Sequence, residues 1–337
     1  MIKKALTIGL NYKNTPNELY GCISDIVNIS DVLTSQYGYL KENIVQLRDD
    51  SSSPNLQPTY LNILLNLTKI VNESDKLSEI WIHYSGHGSQ MRDRNGDETD
   101  GLDEMIVPMD YQRKGFILDD DIFNIIKNVK CKTILIFDSC HSGSVCDLQW
   151  SFDFNGNGFI KTLNVNKEVS NPFIVCFSGC KDAQTSADSF SDTYKMPMGA
   201  FTDALIYSMK SNGFNINILK LYADICLYLK SKNYPQKPLL SSSSVAPSIF
   251  LRKVEPLPPP PPIVPFIPPP SVPAKPPSLS NTTGSTISGI VKMNMNVLSN
   301  PPVIGGTMTS LPIKNGMPLP FKVAATRPVK RKLLFLV

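Results

Sequence analysis

The sequence has few histidines, few tryptophans and no long apolar run. Its 337 residues include three His and two Trp, which leaves little room for a histidine-rich metal site. No stretch reaches the roughly eighteen apolar residues of a membrane-spanning helix. Met1-Ile-Lys-Lys leads directly into a strand-like segment, so no secretory signal is expected. Seven irregularly spaced cysteines predict neither a disulfide framework nor a zinc site, and a reducing, cytoplasmic setting is favoured.

Proline and charge are unevenly distributed along the chain. Residues 255–337 hold 19 of the 28 prolines, eight Lys and Arg, and a single acid, Glu255. Such a segment buries too little apolar surface to offset the entropy of ordering it. We therefore predict a mostly disordered tail after a globular domain of residues 1–254. Because the chain carries +4 and the tail +7, the domain carries −3, which argues against nucleic-acid binding by the core.

The tail has two features of its own. Its basic end, at Arg327 and Lys330 to Lys332, has the charge to touch anionic membranes or nucleic acid, although a merely solvated tail is the preferred interpretation. Pro258–Pro262 and Pro268–Pro270 are typical of polyproline II, which predicts a stiff spacer or a ligand for proline-recognising domains.

Strand-like and helix-like segments alternate through the domain. Short apolar runs predict strands at Ala5–Leu10, Ile44–Leu47, Ile80–Tyr84, Thr133–Phe137 and Phe173–Phe177. Helical periodicity predicts helices at Ile23–Tyr37, Tyr60–Val71, Ala200–Met209 and Ile218–Leu229. This alternation predicts an α/β fold whose mostly parallel central sheet is covered by helices on both faces.

Two unusual segments directly follow the third and fourth predicted strands. They are Ser85-Gly-His-Gly and Asp138-Ser-Cys-His-Ser-Gly, and parallel topology brings them to one edge of the sheet. A thiol nucleophile needs a nearby base and an exposed turn. We therefore predict Cys140 as the nucleophile and His87 as its base. His141 is the alternative base, whereas His83 lies within a strand and is expected to be packed.

These segments resemble the catalytic motifs of metacaspases, which belong to the caspase-like clan of cysteine peptidases. The resemblance runs from about Ile2 to Ser244, and further motifs carry it: Gly21-Cys-Ile-Ser-Asp, Ile117-Leu-Asp-Asp-Asp, Ser178-Gly-Cys-Lys-Asp-Ala-Gln-Thr-Ser-Ala-Asp and Pro238-Leu-Leu-Ser-Ser-Ser. It implies a caspase-like fold with a p20-like part at residues 1–150, a linker at 151–172 and a p10-like part at 173–254. Many metacaspases carry a proline-rich segment before the domain, whereas here it follows.

The resemblance also implies roles for individual residues. His87 and Cys140 form the catalytic dyad without an orienting acid, and the backbone N–H groups of Gly88 and Cys140 form the oxyanion hole. The substrate pocket is implied to comprise four residues, which are Cys22, Asp25, Ser85 and Asp138. Two carboxylates in a pocket select Arg or Lys, opposite to the acidic preference of caspases.

For one pocket acid, Asp25, there is an alternative interpretation, and the other, Asp138, could disfavour the thiolate. Taken alone, Asp25 reads as a solvated position early in a helix. Asp138 precedes Cys140 by two residues, and a carboxylate facing a thiol would raise the pKa of that thiol. We therefore expect Asp138 to face away from the sulfur.

An acidic stretch raises the question of calcium. Residues 93–104 place acids and Asn at EF-hand ligand positions Asp93, Asn95, Asp97 and Glu104. Glu98 stands where that loop needs Gly and the flanks look extended, so an acidic hairpin is preferred. The resemblance instead implies a Ca²⁺ site formed by Asp103, Asp119, Asp120 and Asp147. Helix N-capping by Asp119 and Asp120 is the alternative, and both roles can coexist.

The sequence thus predicts a monomeric, calcium-stimulated endopeptidase that cleaves protein or peptide substrates after Arg or Lys. The polar segment 153–170 is expected to expose Lys161 and Lys167 for self-cleavage. Two rival hypotheses stay open: a catalytically silent scaffold that binds partners through its proline-rich tail, and a peptidase that cleaves after Asp or Asn.

Overall fold

The structure is a computed structural model that describes residues 2–92, 102–139, 146, 148–164, 167–179, 188–191 and 194–255. The strands of this part are β1 (Lys3–Gly9), β2 (Ile44–Arg48), β3 (Glu79–Ser85), β4 (Gly88–Arg92), β5 (Leu102–Ile106), β6 (Ile117–Leu118), β7 (Lys132–Asp138), β8 (Trp150–Phe154), β9 (Phe159–Leu163), β10 (Ile174–Ser178), β11 (Asp188–Ser191), β12 (Met196–Gly199), β13 (Ile216–Asn217), β14 (Leu239–Ser242) and β15 (Phe250–Leu251). Beyond Glu255 the predicted tail lies outside the described residues, and its disorder stays a prediction.

The helices of the same part are α1 (Cys22–Tyr37), α2 (Tyr60–Asn72), α3 (Tyr111–Lys114), α4 (Asp119–Ile126), α5 (Ala200–Ser211) and α6 (Ile218–Ser231). Three short 3₁₀ turns lie at Lys41–Asn43, Pro54–Leu56 and Ser74–Lys76. No helix among these residues is long and apolar enough to cross a membrane.

Eight strands form the central sheet in the order β2-β1-β3-β7-β10-β14-β8-β9. The first five are parallel, and the last three pair antiparallel. The five strands and four helices predicted from apolar periodicity are all present within two residues of their expected ends. The predicted mostly parallel sheet is confirmed.

Helices cover both faces of this sheet, and the alternation of strand side chains decides which residues meet them. On β7, Ile134 and Ile136 join the core beneath α1, α5 and α6, whereas Leu135 and Phe137 join the core beneath α2 and α4. Both faces are therefore apolar, which explains why these strands read as continuous apolar runs.

Residues 151–172 were expected to form a linker, but the first half of this segment belongs to two strands. β8 and β9 form a hairpin that extends the sheet, closed by a turn in which Asn155 Oδ1 accepts hydrogen bonds from the N–H groups of Asn157 and Gly158 at 3.0 and 2.9 Å. Phe152 is fully buried and Phe159 stacks on Tyr222. The polar residues therefore form the turn, while Phe152 and Phe159 pack the hairpin against the core; most of β9 is exposed.

A smaller sheet, β4-β5-β6, lies beyond β3. β4 and β5 flank residues 93–101, so the segment that partly matches an EF-hand has strands on both sides and no flanking helices. Glu104 lies on β5 and accepts a hydrogen bond from Gln90 on β4. The antiparallel pairing of β4 with β5 agrees with a hairpin, whereas Asp93, Asn95 and Asp97 lie outside the described residues.

Candidate active site

The two motif segments meet at one edge of the sheet. β3 and β7 are neighbouring parallel strands, and their last residues, Ser85 and Asp138, are paired. The N–H of Gly86 donates to the carbonyl of Asp138 at 3.3 Å. The described chain continues to the buried Ser139, and the next residue, Cys140, lies outside the described residues together with His141. The predicted juxtaposition of the two loops is confirmed as far as Ser139.

Tyrosine hydroxyls hold the backbone of His87 in place. Tyr84 donates to the His87 carbonyl at 2.7 Å, and the His87 N–H donates to the Tyr12 hydroxyl at 3.1 Å. Tyr12 in turn donates to the carbonyl of Val107 at 2.7 Å. Burial raises the pKa of Tyr12 well above its usual value, so that its hydroxyl stays a donor. A Cβ on Gly86 would come within 2.7 Å of the Tyr84 hydroxyl, which is why glycine precedes His87.

The imidazole of His87 is oriented by a backbone carbonyl. Its Nε2 lies 2.7 Å from the carbonyl oxygen of Asn17, and its ring centroid lies 4.7 Å from that of Tyr12. A carbonyl only accepts, so Nε2 carries the proton and Nδ1 carries the lone pair in the neutral ring. His87 is thus in the tautomer of a base acting through Nδ1. Asn17 and Tyr12 were not predicted, because no local sequence signal links them to residue 87.

Gly88 begins β4 and is buried, with its pairing partner Ile106 across the small sheet. The neighbouring carbonyl of His87 accepts a hydrogen bond from the N–H of Val107 at 3.2 Å. These contacts fix the peptide units on both sides of Gly88. Its predicted role as an oxyanion donor remains a prediction, since the second donor, Cys140, lies outside the described residues.

Asp25 is fully buried and hydrogen-bonded, so a solvated position in the helix is wrong. Its Oδ2 accepts from the Ser85 hydroxyl at 2.6 Å, and its Oδ1 accepts from the Gly199 N–H at 2.9 Å. Cys22 begins the same helix, α1, and is also buried. The structure therefore places Cys22, Asp25 and Ser85 together behind the end of β3.

Asp138 approaches the same point from β7. Its Oδ2 accepts two hydrogen bonds from Thr202, one from the N–H at 3.0 Å and one from the hydroxyl at 2.7 Å. A Cβ on Gly199 would collide with Asp138 Oδ2 and would lie 2.8 Å from Asp25 Oδ2. The two carboxylates thus converge over one glycine.

The N-terminus of α5 stabilises these two negative charges. Gly199 is the N-cap residue of α5 and Thr202 is its third residue, and their N–H groups each donate to one carboxylate. Hydrogen bonds to the charged form and the positive end of the helix dipole both favour ionised carboxylates. Glycine at position 199 and a hydroxyl at 202 were missed from the sequence, because both contacts join residues far apart in the chain.

The other two histidines have different outcomes. His83, on β3, is fully buried, and burial lowers its pKa to about 3. Its expected packed role is confirmed. His141 remains an untested alternative because it lies outside the described residues.

Three of the four proposed calcium ligands lie near one end of the small sheet. Asp103 is on β5, and the pairing of Met105 with Leu118 brings β5 alongside the start of α4, where Asp119 and Asp120 lie. Asp103 and Asp119 are buried. Carboxylate oxygens suit a hard cation, yet no group of three such side chains close enough for a metal exists within the described residues. Asp147 lies outside them, so the calcium site stays a prediction.

The alternative prediction, that Asp119 and Asp120 cap the N-terminus of α4, is wrong. Leu118, and not an aspartate, is the N-cap of α4, and no side chain caps it. Asp119 and Asp120 occupy the first helical turn instead, where a negative charge is favourable toward the helix dipole.

The two candidate cleavage lysines differ in accessibility. Lys161 is exposed on β9, and its ammonium donates to the carbonyl of Val245 at 3.0 Å. Lys167 was expected to be exposed, and this is wrong: it is 5% exposed. Its ammonium lies 3.9 Å from Asp120 Oδ1 and 5.4 Å from the centre of the Phe123 ring. Contacts with an acid and an aromatic ring on α4 therefore keep the Lys167 side chain away from solvent.

The fold and the edge geometry define a caspase-like protein, and comparisons with known proteins give the family. A family model described as "Metacaspase, peptidase C14 domain" matches residues 3–149. Metacaspase-1B of Aspergillus oryzae is 35% identical over 287 residues, covering 72% of this chain and 68% of that protein. Metacaspase-1 of Schizosaccharomyces pombe is 34% identical over 294 residues, covering 72% and 67%. The chain belongs to the metacaspase family of cysteine-type peptidases.

A solved structure agrees with the fold. Protein GSU0716 from Geobacter sulfurreducens superposes with a TM-score of 0.53 at 21% identity, over 75% of this chain and 97% of that protein. At this identity the likeness concerns the fold alone.

Proposed function

We propose that this metacaspase is an endopeptidase that cleaves protein and peptide chains after Arg or Lys through a Cys140–His87 dyad. The observation that carries the specificity is the convergence of the buried Asp25 and Asp138 carboxylates over Gly199. A buried pair of negative charges attracts a guanidinium or ammonium group and repels a carboxylate. The same geometry disfavours a preference for Asp at the cleaved position.

In the proposed mechanism, the Cys140 thiolate attacks the scissile carbonyl carbon, and His87 Nδ1 holds the proton taken from the thiol. N–H groups of Gly88 and Cys140 stabilise the oxyanion. His87 then gives its proton to the leaving amine as the C–N bond breaks. Water, deprotonated by His87, hydrolyses the resulting thioester and releases the acid. The hydrogen bond from His87 Nε2 to Asn17 supports this assignment, since it keeps the lone pair on Nδ1.

The position of Asp138 supports a reactive thiol two residues later. Both donors of Thr202 meet one oxygen of Asp138, which turns this carboxylate toward α5. A carboxylate engaged with a helix N-terminus raises the pKa of a neighbouring thiol less than one facing it would. These contacts support the proposal that Asp138 faces away from the Cys140 sulfur.

Calcium stimulation is a second part of the proposal. The donor chemistry of Asp103, Asp119 and Asp120, with Asp147 as the fourth carboxylate, suits Ca²⁺. When bound, Ca²⁺ would offset the mutual repulsion of these carboxylates. Isothermal titration of Cys140→Ala with calcium tests this part without turnover. Asp119→Asn should weaken binding, whereas Asp31→Asn, on the far part of α1, should not.

The turnover experiment uses fluorogenic peptides that end in Arg, Lys, Asp or Asn, with and without millimolar calcium. We expect hydrolysis of the Arg and Lys peptides only, stimulated by calcium and abolished in Cys140→Ala. A folded protein that cleaves none of the four would support the scaffold hypothesis. Cleavage after Asp or Asn would refute the pocket assignment.

The remaining expectations concern assembly, location and the segment from residue 255. We propose that the protein is a monomer and that it works in a reducing cytoplasmic setting, which preserves a thiolate. We also propose that the proline-rich segment binds proline-recognising domains. Sedimentation and pull-down with and without residues 255–337 test the first and last of these.

A further inference from the structure

A chain of buried hydrogen bonds connects β3 to the pocket acid on β7. His83 Nε2 lies 3.2 Å from the Thr202 hydroxyl, and that hydroxyl lies 2.7 Å from Asp138 Oδ2. His83 and Thr202 are fully buried, and Asp138 is 4% exposed. Neither His83 nor Thr202 has a part in the proposed chemistry, so this polar chain in the core needs another explanation.

The direction of each hydrogen bond follows from the donors available. An ionised carboxylate only accepts, so the single hydroxyl proton of Thr202 points at Asp138. The hydroxyl oxygen therefore accepts from His83, which places the imidazole proton on Nε2. Complete burial lowers the pKa of His83 to about 3, so the ring is neutral near pH 7 and carries only this proton. His83 consequently acts as a fixed donor to Thr202.

The contacts also fix the orientation of the carboxylate. Thr202 directs both its N–H and its hydroxyl at the same oxygen, Oδ2. Two donors on one oxygen stop rotation about the Cβ–Cγ bond and thereby set the direction of Oδ1. A Cβ on Gly179 would come within 3.2 Å of Oδ1, so Oδ1 lies beside residue 179.

We propose that Thr202, held by His83, is a positioning residue that orients the Asp138 carboxylate for recognition of a basic side chain. This inference rests on the proposed Arg/Lys specificity and adds residues outside the pocket to it. A preoriented carboxylate loses less rotational freedom when it pairs with a guanidinium. The benefit should therefore appear in substrate binding and not in the chemical step.

The test compares Thr202→Val, which keeps the shape and the N–H but lacks the hydroxyl, with Thr202→Ser, which keeps the hydroxyl. Removing a hydrogen bond to a charged group inside a protein is expected to raise KM for Arg and Lys peptides about 10- to 100-fold, with kcat changed less than about threefold. Thr202→Ser should remain within about threefold of wild type in both constants. Thr133→Val is the matched control, since Thr133 is equally buried but donates to the Cys131 carbonyl, near the start of β7.

A binding measurement gives a readout that does not need turnover. In the Cys140→Ala background, titration with an uncleaved Arg-containing peptide should show a Kd raised by the same factor in Thr202→Val and unchanged in Thr133→Val. If Thr202→Val leaves KM and Kd at wild-type values, or if Thr202→Ser loses as much as Thr202→Val, the positioning role is refuted. If Thr202→Val fails to fold, the Thr202→Ser result and the Kd of His83→Leu, which removes the donor behind Thr202, decide the question. If wild type cleaves no Arg or Lys peptide, the proposed function has failed instead.

Discussion

The buried His83 makes a quantitative prediction about acid stability. Its usual pKa is 6.5 in an unfolded chain, and burial lowers it to about 3 in the folded protein. Asp138, one hydroxyl away, would favour an imidazolium, but desolvation of a fully buried ring is the larger effect. Between these two pKa values the unfolded chain binds one more proton than the folded protein. The contribution of the neutral His83 ring to the stability of the folded protein is therefore fully present above about pH 6.5. This contribution is lost as the pH falls toward 3, because the unfolded chain then gains a proton that the folded protein does not.

The magnitude follows from linkage. One proton of difference changes the free energy of unfolding by up to about 1.4 kcal/mol per pH unit. Integrated from pH 7 to pH 5, His83 should account for a loss of about 2 kcal/mol. In a protein whose total stability is about 5 to 15 kcal/mol, a loss of this size is readily measured.

The perturbation is His83→Gln, which retains an N–H donor for Thr202 but does not titrate. Urea unfolding at pH 7 and pH 5, followed by tryptophan fluorescence, to which the buried Trp81 on the same strand contributes, gives the free energies. Both proteins carry Cys140→Ala to prevent self-digestion. The drop in stability from pH 7 to pH 5 should be smaller by about 2 kcal/mol in the variant. Equal drops in the two proteins would refute the assignment of a neutral, buried His83.

Two further predictions concern the geometry of the site. Gly199→Ala places a Cβ against both pocket carboxylates. It should lower kcat/KM for Arg peptides about 100-fold or more, as expected of a lost charged contact. Gly158→Ala is the control and should leave kcat/KM unchanged, since a Cβ there has nothing within 4 Å. Tyr84→Phe removes the donor to the His87 carbonyl and should lower kcat about tenfold, the cost of about one hydrogen bond. Tyr37→Phe, whose buried hydroxyl has no hydrogen-bond partner among the described residues, should leave kcat unchanged.

Much of the framework was predictable because its signals are local. The strands of a parallel sheet are buried on both faces, so Thr133–Phe137 stands out as an apolar run. Once β3 and β7 are parallel neighbours, the loops that follow them must share an edge, and the pairing of Ser85 with Asp138 confirms this. Short-range patterning and one topological rule therefore sufficed to bring the two motif segments together.

The support of the site was not predictable because its contacts span the chain. Thr202 meets His83 across 119 residues, and Asn17 meets His87 across 70. A threonine at the start of a helix and an asparagine in a loop have many ordinary roles, so neither carries a recognisable signal. The exposure of Lys167 was wrong for a related reason: a polar segment suggests solvent, whereas its partners Asp120 and Phe123 come from a helix more than forty residues earlier.

The position of Lys167 has a consequence for self-cleavage that trypsin can test, because trypsin also cuts after lysine. In the folded Cys140→Ala protein without calcium, the buried Lys167 should be cut far more slowly than Lys195, which is exposed in a turn. Asp120 is partly exposed, so its ion pair contributes about 1 kcal/mol. Asp120→Asn, or a cation that competes for Asp120, should therefore raise cutting at Lys167 about fivefold through a larger opened fraction, without affecting Lys195. Rapid cutting at Lys167 in the unperturbed protein would contradict the burial of this lysine and its contacts with Asp120 and Phe123.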